Sequence, residues 1–169
     1  MSKSLLTKVS AVAVAALLAL PSTATAQSAS ISATATVATA LTVTNVRNLG
    51  FGTVIPGFNR TINVTDGTSG HFQVTGGANA EVAVSFSALP GVLTGPGTDL
   101  SVSYSATHNT TDNGGSGTSF TPGSGVTTRL DNTTGELHVY IGGVLTVPGG
   151  QTPGAYSATI TMDASYTGN

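Results

Sequence analysis

The side chains best able to do chemistry are three histidines, His71, His108 and His138, and seven carboxylates, Asp66, Glu81, Asp99, Asp112, Asp131, Glu136 and Asp163. Imidazole nitrogens bind metal ions or move protons near neutral pH. Their spacing does not unite them. His71 opens one alternating run, His138 stands on the polar side of another, and His108 lies in a polar stretch, so no shared metal site is expected. Asp112-Asn113-Gly114-Gly115, Asp66-Gly67 and Asp131-Asn132 could offer oxygens to calcium, yet Asp and Asn beside Gly are also what turns need on conformational grounds. A calcium loop of the Asp-x-Asp-x-Asp type closed by a bidentate Glu is absent from the sequence.

Catalytic patterns are equally thin. There is no G-x-S-x-G elbow, and Glu81 and Glu136 read as polar positions within strands rather than as a glycosidase pair. The glycine runs in GGANAE and GGSG lack a following lysine or a helix whose amides could point at a phosphate. Without cysteine there is no thiol catalysis, iron–sulfur cluster or thiolate zinc site. No catalytic residue, no cofactor and no enzyme activity are therefore expected. Tyr104, Tyr140, Tyr156 and Phe120 could stack on a sugar, although strand aromatics more often pack in a core.

The elements around these residues are clearer. Lys3 and Lys8, the apolar run Val9 to Leu20, Pro21 and the small-residue site Ala24-Thr25-Ala26 compose a secretion signal, residues 1–26, with cleavage before Gln27. The apolar run is too short to span a bilayer comfortably, and no later run approaches that length, so no transmembrane segment is expected after cleavage. Of the 169 residues, 143 then remain, enough for one domain and one core. Loss of Lys3 and Lys8 leaves Arg47, Arg60 and Arg129 against the seven Asp and Glu, a net charge of −4. Three scattered arginines in an acidic domain make nucleic acid an unsuitable partner.

From the new N-terminus the text alternates. Ile31, Ala33, Ala35, Val37, Leu41 and Val43 fall on one side and Ser32, Thr34, Thr36, Thr42 and Thr44 on the other. Ile31 to Val43 would extend ~43 Å, about twice an ordinary strand, so the stretch divides into an arm, 27–36, and a first strand near 37–44. Further strands are expected at 49–55, 61–64, 71–75, 81–88, 100–104 and 136–141, with turns at Pro56-Gly57, Asp66-Gly67, Gly76-Gly77 and Pro90-Gly91. Residues 106–125 read as a long polar loop in which His108, Asp112, Asn113 and Phe120 could meet a ligand. Gly142-Gly143 is expected to bend its strand, and Tyr156, Ala158, Ile160, Met162, Ala164 and Tyr166 alternate as a long final strand. This is the pattern of an all-β sandwich of seven to nine strands, residues 37–169, preceded by an extended arm.

TATVATALTVTNVRNLGFGTVIPG, HFQVTG and ELHVYIGGVLTVPGGQTPGAYSATITMDASY resemble the exported bacterial family catalogued as domain of unknown function 4402. That family is in turn similar to spore-coat-U-type and chaperone-usher pilin domains, and Pro153-Gly154-Ala155-Tyr156 followed by alternation to Tyr166 resembles a pilin's final strand. The resemblance implies an immunoglobulin-like sandwich lacking one strand, whose groove takes the arm of the next subunit. It also implies neighbouring pilin-like subunits, a periplasmic chaperone and an outer-membrane usher as partners. Location in the periplasm, at the cell surface or in an extracellular fibre of a Gram-negative bacterium follows.

The physical reason is independent of the resemblance. An unfinished sandwich leaves apolar side chains and backbone groups unpaired along its edge, and an alternating segment repairs both. Ile31, Ala33, Ala35 and Val37 would be the inward knobs of such a donor arm. The expected function is a structural subunit of a surface fibre or layer. The alternative is a monomeric surface or periplasmic module that binds a carbohydrate or another surface through the 106–125 loop, its arm pairing within its own chain.

Overall fold

The computed structural model describes residues 27–35, 37 and 39–168. The secretion signal lies outside the described residues, as does Thr36 of the expected arm. Two units are distinguished, one ending at Thr36 and one running from Val37, and each is considered by itself. In the first, residues 27–35 form no strand and are exposed throughout.

The second unit is a β-sandwich. One sheet contains β1 (Thr42–Arg47), β2 (Arg60–Ile62), β3 (Gly70–Thr75), β5 (Val92–Leu93), β6 (Leu100–Asn109), β7 (Thr118–Phe120) and β9 (Glu136–Thr146). The other contains β4 (Glu81–Ala88), β8 (Val126–Arg129) and β10 (Thr161–Tyr166), in the order β10-β4-β8. All pairings are antiparallel. A single 3-10 turn at Pro122–Ser124 interrupts the described strands.

In the larger sheet β9 is the spine. β6 pairs along nearly all of one side, and β3 and then β2 share the other. Leu137, Val139 and Ile141 point into the core as their alternation predicts, where Val74 of β3 and Val82 and Val84 of β4 are also buried. Leu130 and Met162 complete this first apolar cluster. A second cluster, Leu100, Val102, Leu145 and Val147, lies farther along β6 and β9.

Several sequence expectations need correction. The first strand begins at Thr42 rather than near Val37, because Ala and Thr alternate before it without enough apolar area to hold a strand on a core. Residues 49–55 form no strand; Phe51 and Val54 instead pack irregularly on the second cluster. The final strand starts at Thr161, with a single bridge at Ser157 opposite Thr94 before it. Among the described residues there are ten strands, the short β5 and β7 having no apolar alternation to reveal them.

The 106–125 segment is not one loop. β6 runs to Asn109 and turns back into β7, pairing Ala106 with Phe120, Thr107 with Ser119 and His108 with Thr118. Gly142-Gly143 carries no bulge: both residues lie inside the continuous β9, in unbroken register with β6. They mark the point where its neighbour changes from β3 to β2, and a Cβ at either position would strike a backbone carbonyl, Ile62 for Gly142 and Ser103 for Gly143. Close strand approach is what requires glycine there.

Candidate functional site

Two places in the sandwich stand out, an open margin and a covered polar face. The margin is bounded by β1, at the edge of the larger sheet, and β10, at the edge of the smaller. The two edges approach one another, and Tyr166 ties them by accepting a hydrogen bond from the Gly77 N–H at 2.7 Å and donating one to the Thr39 carbonyl at 2.8 Å. Val43 sits opposite the wholly buried Val74 and on the same face, yet remains 37% exposed. Its inward side chain lacks the cover that its partner has.

The margin continues as a cleft of about 560 Å³ between residues 49–56, which follow β1, and residues 151–156, which precede β10. Leu100, Leu145 and Val147 contribute apolar surface to it, Phe51 and Val54 line one wall and Tyr156 the other. The Tyr156 hydroxyl donates to the Thr152 carbonyl and accepts from the Gln151 amide, which braces that wall. Of the expected arm residues, Ile31 is 95% and Val37 94% exposed, and Ala33 and Ala35 are exposed as well.

The covered polar face is on the outside of the larger sheet. Ser101, Ser103, Ser105, Val144 and Thr146 are exposed there, whereas Thr107, His138 and Tyr140 are buried. The tip between β6 and β7 accounts for this. Thr107 donates to the Gly115 carbonyl at 2.8 Å, the Asn109 amide donates to the Ser116 carbonyl at 3.0 Å, and Gly115 lies against the Val64 backbone.

Beneath it, β3 and β9 place His71 opposite Tyr140 and Gln73 opposite His138, so the two histidines are diagonal neighbours on one face. His71 Nε2 and His138 Nδ1 are 3.1 Å apart. The His71 ring stacks on Tyr140 with centroids 4.2 Å apart and planes 13° from parallel, and the Tyr140 hydroxyl donates to Asp112 Oδ1. Burial, reinforced by the bonded Asp112 carboxylate, pushes the Tyr140 phenol up to about 12. That same phenol hydrogen bond holds the Asp112 carboxyl below its usual value, while burial lowers His71 despite the opposing influence of Asp112.

The expected contact residues divide. Asp112 and Asn113 are exposed at the tip, but Phe120 packs against the first core cluster and stacks on Phe86, and His108 lies on the inner face opposite Val139. The aromatic residues divide too: Tyr104 and Tyr156 pack on the second cluster, Phe120 on the first, and Tyr140 under the tip. Glu81 and Glu136 start strands of different sheets; Glu81 accepts from Thr167 and lies 3.9 Å from Arg129, and Glu136 accepts from Gln73 at 2.9 Å. Asp131 accepts from the Thr133 and Thr134 amides and Asp66 from the Asn63 amide, so these carboxylates close turns.

Sequence reasoning kept the three histidines apart, and His108 does stand apart from the other pair. The meeting of His71 with His138 depends on β3 lying beside β9, and no spacing rule within either run reveals that neighbour. Among the described residues no helix is long and apolar enough to cross a membrane.

No curated protein matches the chain. The family described as "Domain of unknown function (DUF4402)" matches residues 41–166, from the residue before β1 to the last residue of β10. The match covers the whole sandwich, and the chain belongs to this family.

Proposed function

We propose that this chain is an exported, non-enzymatic structural subunit of a bacterial surface fibre or layer, in which the arm at 27–36 of one copy adds a strand to the open margin of the next. The observation that carries this reading is the margin itself: among the described residues β1 and β10 each have one unpaired edge, and an apolar cleft continues between the segments that flank them. Unpaired edges beside apolar surface favour an added strand, with backbone hydrogen bonds giving affinity and alternate side chains giving register. Residues 27–35 have the matching alternation and no strand partner among the described residues. A periplasmic chaperone and an outer-membrane usher are the partners such assembly calls for, each covering the margin until the next subunit arrives.

Deleting residues 27–36 from the mature chain tests this. The full mature chain should form ladders that persist in detergent without heating, and the deletion variant should keep its β-sheet circular dichroism while running as a monomer. Ladders that survive the deletion, or a full chain that is monomeric at high concentration, would refute strand donation. The second result would favour the monomeric binding module, whose expected contact set is divided by the positions of His108 and Phe120 on the inner face.

A further inference from the structure

The polar face under the β6–β7 tip carries a donor set that strand donation does not use. One ring nitrogen each of His71 and His138 and a carboxylate oxygen of Asp112 all lie within 4.8 Å of one another. Two imidazole nitrogens bound to one tetrahedral ion at about 2.0–2.1 Å stand about 3.3 Å apart. The 3.1 Å between His71 Nε2 and His138 Nδ1 is within a few tenths of an ångström of that separation.

The surroundings hold the donors in place. Both histidine backbones belong to paired strands, the two residues are 3% and 5% exposed, and Tyr140 stacks on His71. Glu136 Oε2 lies 3.9 Å from His138 Nε2, on the side away from His71. A carboxylate on that side draws the ring proton toward Nε2 and leaves the Nδ1 lone pair on the side of His71. Asp112 comes from the tip and already faces the pair, anchored by Tyr140. The Arg47 guanidinium is the opposing charge, and its side chain is engaged with Ser69 through Nε to the carbonyl and Nη2 to the hydroxyl.

We propose that His71, His138 and Asp112 bind one divalent transition-metal ion of the zinc class, with water completing the shell, and that the ion fastens the 110–117 tip to the sheet. Two neutral imidazoles and one carboxylate match zinc, cobalt(II) or nickel(II) better than calcium or magnesium, which prefer oxygen. The ion's place is structural, joining residues from β3, β9 and the tip. It is independent of the strand-donation reading and requires no assembly.

The test is titration of the chelator-treated mature chain with Zn²⁺ and, separately, Co²⁺, followed by calorimetry, cobalt absorption and thermal unfolding. The expected result is one equivalent bound, a tetrahedral cobalt spectrum, and a melting temperature that rises with free Zn²⁺. Asp112→Asn, on an exposed residue, and His138→Gln should each weaken Zn²⁺ binding at least about tenfold. His108→Gln, away from the site, should bind like the parent. No saturable binding to folded protein, or binding unchanged in both Asp112→Asn and His138→Gln, would overturn the assignment and leave a His–His hydrogen bond as the whole role of the pair. Should His138→Gln fail to fold, Asp112→Asn together with Zn²⁺-dependent shifts of the His71 and His138 ring nitrogens decides the matter.

Discussion

The two ends of the sandwich bury the same sheet in different ways. At one end the inner face of β9 is covered by a second sheet, and Val74, Val82, Val84, Leu137 and Val139 have almost no exposure. At the other end Leu100, Val102, Leu145 and Val147 meet, among the described residues, no second sheet but Leu93, Tyr104 and the irregular segments that contribute Phe51, Val54 and Tyr156, and a cleft remains. Strand length explains the difference. β6 and β9 have 10 and 11 residues, but β4, β10 and β8 have 8, 6 and 4. The longer strands exceed those that cover them by at least 2 residues, 10 against 8, at ~3.3 Å per residue, and side chains must close what backbone pairing cannot. An interface can be built where a sheet outruns its partner.

The sharpest test of this contrast is truncation on either side of it. Leu137→Ala, in the closed end, should cost about 3–5 kcal/mol by urea unfolding, because it leaves a sealed cavity. Leu145→Ala should cost about 2–3 kcal/mol, since it enlarges a cleft already open to solvent. Equal losses would mean that the second end is as well packed as the first.

At the boundary between the ends, Gly142→Ala should cost about 1–3 kcal/mol by forcing β9 away from the Ile62 carbonyl. A neutral outcome would show that β2 holds its place only loosely. Hydrogen bonds give a smaller contrast. Tyr166→Phe removes both the bond accepted from Gly77 and the bond donated to Thr39, and should cost about 1–2 kcal/mol. Tyr104→Phe removes only the bond to the Pro90 carbonyl and should cost about 1 kcal/mol. A reversal of that order would place the tighter polar clamp at the open end.

The smallest effect is one of pH. Burial on the inner face lowers His108 below the ordinary histidine value of 6.5, so the folded state holds that proton less readily than the unfolded chain. His108 therefore contributes its full share of stability above pH 6.5, and that share is lost as pH falls toward the lowered folded value. Denaturant midpoints measured between pH 7.5 and 5 should fall less steeply in His108→Gln than in the parent. An identical slope would mean that His108 is solvated.

Much of the sandwich is legible from alternation alone. The runs at 71–75, 81–88, 100–104 and 136–141 announce β3, β4, the start of β6 and the first half of β9, because branched apolar residues on every second position must share one buried face. Composition conceals the rest. The end of β6 and β7 is hidden because Thr107, His108, Thr118 and Ser119 are polar, and Thr107 owes its burial to a tip folding over the outer face. β1 is misplaced because alanine and threonine alternate before it as neatly as valine and threonine do at its start. The histidine pair needs the order of two strands whose histidines are 67 residues apart in sequence, which a local pattern does not encode.

The central claim is that one copy's arm lies along another copy's margin, and the absence of cysteine allows a clean test. One population would carry Ala33→Cys or Ala35→Cys, the other Val43→Cys on β1 or Ala164→Cys on β10, and the two would be mixed and mildly oxidised. A strand laid beside either edge brings Cα atoms to about 4.5–5.5 Å, within disulfide reach. The account predicts disulfide-linked heterodimers in at least one of the four pairings, well above the yield with Ser103→Cys on the exposed outer face. Yields no higher than that control in all four would contradict it.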